Sequence, residues 1–188
     1  VFPGGRVEPE EIAAAPDELE AARVAAVRET LEEAQLRVEE RTLCYYSHWT
    51  TPALMPKRYA TWFFVARAPD DHAVTVDGSE IHDHLWVRPA EAMEKHRREE
   101  IELMPPTYIT LLELAQCAHA AEVLERIARR TVPVFEPHIL VREQRPTESL
   151  YFGDAGYGSS EPDAPGRRHR MIMARGDYRY LNEGVVSW

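Results

Sequence analysis

Glu29, Glu32 and Glu33 stand at i, i+3 and i+4, directly after Arg28. On an α-helix such positions project from one face, so the run Arg28-Glu29-Thr30-Leu31-Glu32-Glu33 predicts three carboxylates gathered beside one guanidinium. Like charges at this spacing cost an isolated helix a few tenths of a kcal/mol per pair, and carboxylates near a helix C-terminus oppose the macrodipole. A hard cation offsets that cost: Mg²⁺ or Mn²⁺ takes oxygen ligands and completes its shell with water or phosphate oxygens. Glu29, Glu32 and Glu33 are therefore the candidate metal ligands. Arg28 would orient and screen them through its fixed fork of donors. The plainer alternative is a solvated, Glu-rich helix face.

Two local elements would position this chemistry. Val1-Phe2-Pro3-Gly4-Gly5 predicts a glycine turn, and Ala22, Ala25 and Ala26 lie on the carboxylate side of the helix, small enough for the Gly4-Gly5 backbone to come close. Val24, Val27 and Leu31 cluster on roughly the opposite side and are expected to anchor the helix in a core.

The pattern resembles the Nudix box, in which a Gly and a Glu precede Arg-Glu-hydrophobic-x-Glu-Glu-x-Gly-hydrophobic. Gly5 matches the first glycine, Arg28-Glu29 the Arg-Glu pair, Glu32-Glu33 the paired glutamates and Leu36 the closing apolar residue. The family's spacing from Gly5 lands on Glu11, whereas its spacing counted back from Arg28 lands on Glu20. Pro9 to Leu19 therefore read as an inserted acidic loop. Gln35 replaces the last box glycine, which is expected to alter the helix C-cap and not the metal site, and Thr30 fills a usually apolar position. Beyond the box, Trp49-Thr50-Thr51-Pro52, Arg58 to Ala66, Glu80, Trp86 and Met104-Pro105-Pro106-Thr107 resemble the coenzyme A diphosphatase-like branch with long box insertions. The resemblance spans about residues 1 to 118.

It implies a metal-dependent hydrolase, with Mg²⁺ or Mn²⁺ as cofactor, that cleaves the pyrophosphate linkage of a nucleoside diphosphate joined to another moiety. Coenzyme A or acyl-CoA is the first expectation for substrate; ADP-ribose, a dinucleotide, or a non-catalytic nucleotide sensor are the alternatives. The catalytic candidates are Glu33, Glu32, Arg28 and Glu80, the last because an acidic residue shortly before the segment carrying Trp86 can bind metal or act as base. Gly4, Gly5, Arg6 and Arg58 are the candidate substrate-binding residues, although arginines in loops are also commonly just solvated. His82 and His84 alternate on one side of an extended segment, but no third zinc ligand accompanies them.

The formal net charge of −10 argues against a general nucleic-acid binder. Cys44 and Cys117 lack metal-type spacing and read as reduced thiols of a cytoplasmic protein. No apolar run reaches the ~20 residues of a membrane span. Val1 reads as the end of a strand, so the first strands of the fold are expected to precede this sequence.

With 44% hydrophobic residues, the 188-residue chain can bury a real core. Arg58 to Ala68, Ala73 to Val76 and Leu85 to Val87 predict strands; Pro89 to Arg98 predicts a helix, and Thr107 to Arg129 another, broken near His119. This alternation predicts an α/β/α sandwich around a mixed sheet over residues 1–131. Residues 132–188 read as a β-rich extension, with strands at Val132 to Val141, Ser149 to Phe152 and Arg170 to Ala174. It is expected to pack on the first domain or to form a homodimer arm, since so short a segment would be marginal alone.

Overall fold

A computed structural model describes residues 2–69, 85–159 and 161–188. The elements run α1 (Pro9–Ala14), α2 (Glu18–Ala34), a single 3-10 turn (Glu40–Thr42), β1 (Cys44–Thr50), β2 (Ala60–Val65), α3 (Pro89–Arg97), α4 (Pro105–Leu114), α5 (Ala120–Arg129), β3 (Val134–Phe135), β4 (His138–Arg142), β5 (Arg145–Leu150), β6 (His169–Ala174) and β7 (Asp177–Asn182). The expected strand at Ala73 to Val76, together with Glu80, His82 and His84, lies outside the described residues.

The first sheet has the order β2-β1-β3 and is mixed: β1 pairs antiparallel with β2 and parallel with β3. A bulge between Tyr45 and Ser47 shifts the register of β1. On one face Tyr45 meets Phe64 and His48 meets Trp62, with ring centroids 5.8 and 5.0 Å apart, and Arg23 of α2 places its guanidinium 5.1 Å from the Phe64 centroid. On the other face Tyr46 packs with Val123 and Ile127 of α5, and Trp49 with Ile109 of α4. Helices thus cover both faces of a mixed sheet, the α/β/α arrangement expected from the alternation of elements.

Three expectations are corrected. Pro9 to Leu19 is not a loop: Pro9 opens α1, where its missing N–H costs nothing, and the Glu8 N–H donates to the Glu11 carboxylate at 2.7 Å. Asp17 then caps α2 by accepting from the Glu20 N–H at 2.9 Å. Second, the buried face of α2 is Ala21, Ala22, Ala25, Glu29, Glu33 and Ala34, whereas Val24 is 37% exposed and Val27 and Leu31 are only half-buried. The small residues let the helix sit close to its neighbours, and the carboxylates are drawn inward because they meet the Gly4-Gly5 backbone. Third, Leu85 to Val87 forms no strand; Leu85 and Trp86 are exposed, and the segment leads to Arg88, the extended N-cap of α3.

The helical stretch after Pro105 breaks where expected. The His119 side chain caps α5 through Nδ1, which accepts from the Glu122 N–H at 3.2 Å. Among the described residues no helix is long and apolar enough to cross a membrane.

The extension is a four-stranded antiparallel sheet, β4-β5-β6-β7, and includes a strand the sequence reading did not name, Asp177–Asn182. It shares a core with the first sheet: Tyr151 and Met171 are fully buried together with Trp49, Ile109 and Phe135. The Trp49 and Phe135 rings stack at 4.1 Å, and Tyr151 stands edge-on to both. Burial of each such side chain stabilises by about 1.5–3 kcal/mol, so the two sheets support one another.

Candidate active site

Glu29 and Glu33 are buried and Glu32 faces solvent. One Glu33 oxygen accepts from the Gly4 N–H at 3.0 Å. Gly5 approaches Glu29 so closely that a Cβ at this position would lie 2.2 Å from Oε1. Position 5 must therefore be glycine for Glu29 to stay in place, because real Cβ atoms do not come this near another heavy atom.

Arg28 organises the acidic side chains. Its Nη1 donates to Glu29 at 2.8 Å and to Glu32 at 3.1 Å, its Nη2 donates to the Arg6 carbonyl at 2.8 Å, and its Nε donates to Glu11 at 2.9 Å. A second Glu11 oxygen accepts from Nη2 at 3.3 Å, which makes the pair bidentate. The hydrogen bonds to Glu11 and then to Glu29 and Glu32 hold the guanidinium firmly protonated, and the Arg28 bond in turn holds the Glu11 carboxyl below the usual carboxylate range.

Glu11 is the partner of Arg28, a choice that the spacing leaves open. Counting from Gly5 pointed to it; counting back from Arg28 pointed to Glu20. The structure pairs Glu11 with Arg28, while Glu20 sits in the first turn of α2 and bonds Arg23 at 3.3 Å. The additional residues therefore lie between Glu11 and Arg28, over the end of α1, the link to α2 and the start of α2, and the pairing is intact.

Gln35, in place of the last box glycine, adopts the left-handed conformation at φ 55°, with its backbone N–H donating to the Leu31 carbonyl. Thr30 is accommodated by donating its hydroxyl to the Ala26 carbonyl at 2.7 Å. Neither departure displaces the carboxylates.

The other candidates are placed as follows. Gly4 lines the site through its N–H. Arg6 contributes its carbonyl to Arg28, and its side chain is exposed. Arg58 is not gathered to the carboxylates: it donates to Glu136 at 3.0 Å and to the Thr51 carbonyl at 3.4 Å, tying the β1–β2 loop to the segment after β3. Glu80 lies outside the described residues.

Among the described residues no three His, Cys, Asp or Glu side chains are placed together so as to hold a metal ion, Glu29, Glu32 and Glu33 included. The donors nonetheless fit Mg²⁺ or Mn²⁺, which bind through one or two carboxylates and take their remaining oxygens from water and phosphate. Two buried carboxylates fixed by Gly4 and Arg28, with Glu32 at the rim, offer such an open, all-oxygen set.

The model of the NUDIX domain matches residues 1–107. The acyl-coenzyme A diphosphatase NUDT19 of Xenopus laevis is 28% identical over 136 residues, a match covering 69% of this chain and 35% of that protein, so the chain spans about a third of the relative's length. The crystal structure of a NUDIX hydrolase from Alicyclobacillus acidocaldarius superposes with a TM-score of 0.60 at 20% identity, covering 71% of this chain and 81% of that one, and shows the same fold. Because the NUDIX domain model matches more than half of its length, the chain belongs to the NUDIX family.

Proposed function

We propose that the protein is a metal-dependent hydrolase of the pyrophosphate linkage in a nucleoside diphosphate joined to another moiety, with coenzyme A or an acyl-CoA as substrate. The observation that carries this reading is the burial of Glu29 and Glu33 against the Gly4-Gly5 backbone. Buried carboxylates are costly unless compensated, and a site for a divalent cation and a diphosphate gives them a use.

Glu29, Glu32 and Glu33 would hold Mg²⁺ or Mn²⁺, which when bound neutralises charge at the phosphates and lowers the pKa of water. Arg28 fixes the side chains of Glu29 and Glu32, and the Gly4 N–H fixes that of Glu33. Water attacks phosphorus, the bridging P–O bond breaks, and a carboxylate takes the released proton. Glu33 or Glu32 is the base in this reading, with Glu80 a further candidate.

The choice of coenzyme A rests on the branch resemblance and on the name of the Xenopus relative. Free Cys44 and Cys117 suit a cytoplasmic setting. Incubation with Mg²⁺ or Mn²⁺ and coenzyme A, acyl-CoAs, ADP-ribose, NADH and diadenosine polyphosphates, followed by mass spectrometry of the products, tests substrate choice. Phosphopantetheine species with adenosine bisphosphate are expected. Preferential cleavage of ADP-ribose or a dinucleotide would replace the substrate and keep the reaction class; binding without cleavage would point to a sensor.

A further inference from the structure

His169 of β6 lies where the two sheets share their core, 2% exposed and with both ring nitrogens engaged. Its Nδ1 is 2.7 Å from the Phe152 carbonyl, which can only accept, so Nδ1 carries the proton of the neutral imidazole. Nε2 is then bare and accepts from the Tyr180 hydroxyl at 2.9 Å. A second proton, placed on Nε2, would face the hydroxyl proton directly, and Tyr180 would have to turn it away.

The surroundings do not favour an imidazolium. The rings of Tyr151, Phe135 and Tyr180 stand 5.2, 5.8 and 5.8 Å from the imidazole. Burial holds His169 below its ordinary pKa of 6.5, although the Phe152 carbonyl and Asp154 pull the other way. Asp154, on the segment after β5, already accepts from the His169 backbone N–H and from Arg170 through both oxygens. Glu113 of α4 and Arg130 act on Tyr180 and pair with each other at 3.2 Å. The Tyr151 hydroxyl is buried without a hydrogen-bond partner.

Tyr180 belongs to β7, an edge strand that pairs with β6 alone. The start of β7 has a second anchor, since the Tyr108 hydroxyl donates to the Tyr178 carbonyl at 2.8 Å. Beyond Tyr180, the Asn182 side chain accepts from the Val185 and Val186 N–H groups, and Trp188 packs edge-on against Tyr46.

We propose that His169 and Tyr180 form a pH-sensitive latch: a proton on Nε2 breaks their hydrogen bond and loosens the chain from Tyr180 to Trp188. Because the folded pKa is depressed, the stability contributed by the neutral ring is fully present above 6.5 and is lost as pH falls through the folded value. None of this depends on the reaction proposed for the carboxylate site.

The test uses the whole chain. Side-chain nitrogen NMR reads the His169 tautomer, and hydrogen exchange with mass spectrometry compares about pH 7.5 with about pH 5, corrected for intrinsic rates. The proton is expected on Nδ1 at the higher pH. Peptides spanning residues 180–188 are expected to lose protection by at least about tenfold at the lower pH, while the β1–β2 hairpin keeps its own. His169→Gln, which retains a donor and an acceptor and does not titrate, is expected to abolish that difference. Two results on the parent alone would overturn the proposal: a neutral ring protonated on Nε2, or equal protection of 180–188 at both pH values. So would a pH dependence that survives in folded His169→Gln.

Discussion

Glu11 and Arg28 stand 17 positions apart and are joined by two hydrogen bonds, Nε to Oε1 at 2.9 Å and Nη2 to Oε2 at 3.3 Å. The same carboxylate accepts the Glu8 N–H at the start of α1. One side chain therefore anchors the first helix and fixes the guanidinium that holds Glu29 and Glu32. Glu11→Gln keeps the shape and removes the charge. We expect turnover to fall about tenfold or more, with Tm lowered by a few degrees, as for loss of a charge-assisted hydrogen bond worth about 1.5–3 kcal/mol. Steady-state kinetics beside thermal melts check this; full activity would show that Arg28 needs no partner on α1.

Acid should loosen the same contact. Because Arg28 lowers the folded pKa of Glu11 below its ordinary value of 4.5, the pair contributes stability that is fully present above that value and is lost as pH falls through the folded pKa. The expected result is a Tm difference between the parent and Glu11→Gln that is largest near neutral pH and shrinks below about pH 4. A difference independent of pH would contradict it.

Gly5→Ala places a methyl group 2.2 Å from a Glu29 oxygen. Glu29 or the Gly4-Gly5 backbone must move, and we expect activity to fall by an order of magnitude or more while the protein stays folded, since overpacking of this kind costs about 1–3 kcal/mol. Metal titration followed by turnover is the check, with weakened metal dependence the predicted signature.

Gln35→Gly tests the opposite kind of site. Residue 35 is left-handed at φ 55°, a conformation that costs a non-glycine residue about 1 kcal/mol. The substitution also removes a 3.3 Å bond from the Gln35 amide to the Glu32 carbonyl, so the net gain should be modest, a rise in Tm of about 1–3 °C with unchanged kinetics. A lower Tm would mean that the side-chain bond outweighs the backbone strain.

The contacts of Arg28 along α2 were legible in the sequence because they depend on helical geometry alone: Glu29 is its neighbour and Glu32 lies one turn further on. Which face of α2 turns inward was not legible. Val24, Val27 and Leu31 look like the anchor by hydrophobicity, yet the alanine and carboxylate side is buried, with Glu29 and Glu33 against the Gly4-Gly5 backbone. The choice between Glu11 and Glu20 needed the fold of α1, which starts at the Glu8 capping box, and of α2, which Asp17 caps. The Arg58–Glu136 pair joins residues 78 positions apart, and no spacing rule reaches that far. Strand Asp177–Asn182 was legible in retrospect: Tyr178 and Tyr180 alternate with an exposed Arg179, and Gly176 supplies the turn.

The most direct test of the central claim is turnover of a pyrophosphate-linked substrate panel by the parent and by Glu33→Gln, each with Mg²⁺, with Mn²⁺ and with chelator. Glu33→Gln is nearly isosteric and removes one carboxylate charge at the position held by the Gly4 N–H. We predict metal-dependent cleavage by the parent and a loss of about a hundredfold, near 2.7 kcal/mol of transition-state stabilisation, at unchanged Tm. Equal rates for the two proteins, or cleavage that persists with chelator, would contradict the assignment of the α2 carboxylates as the active site.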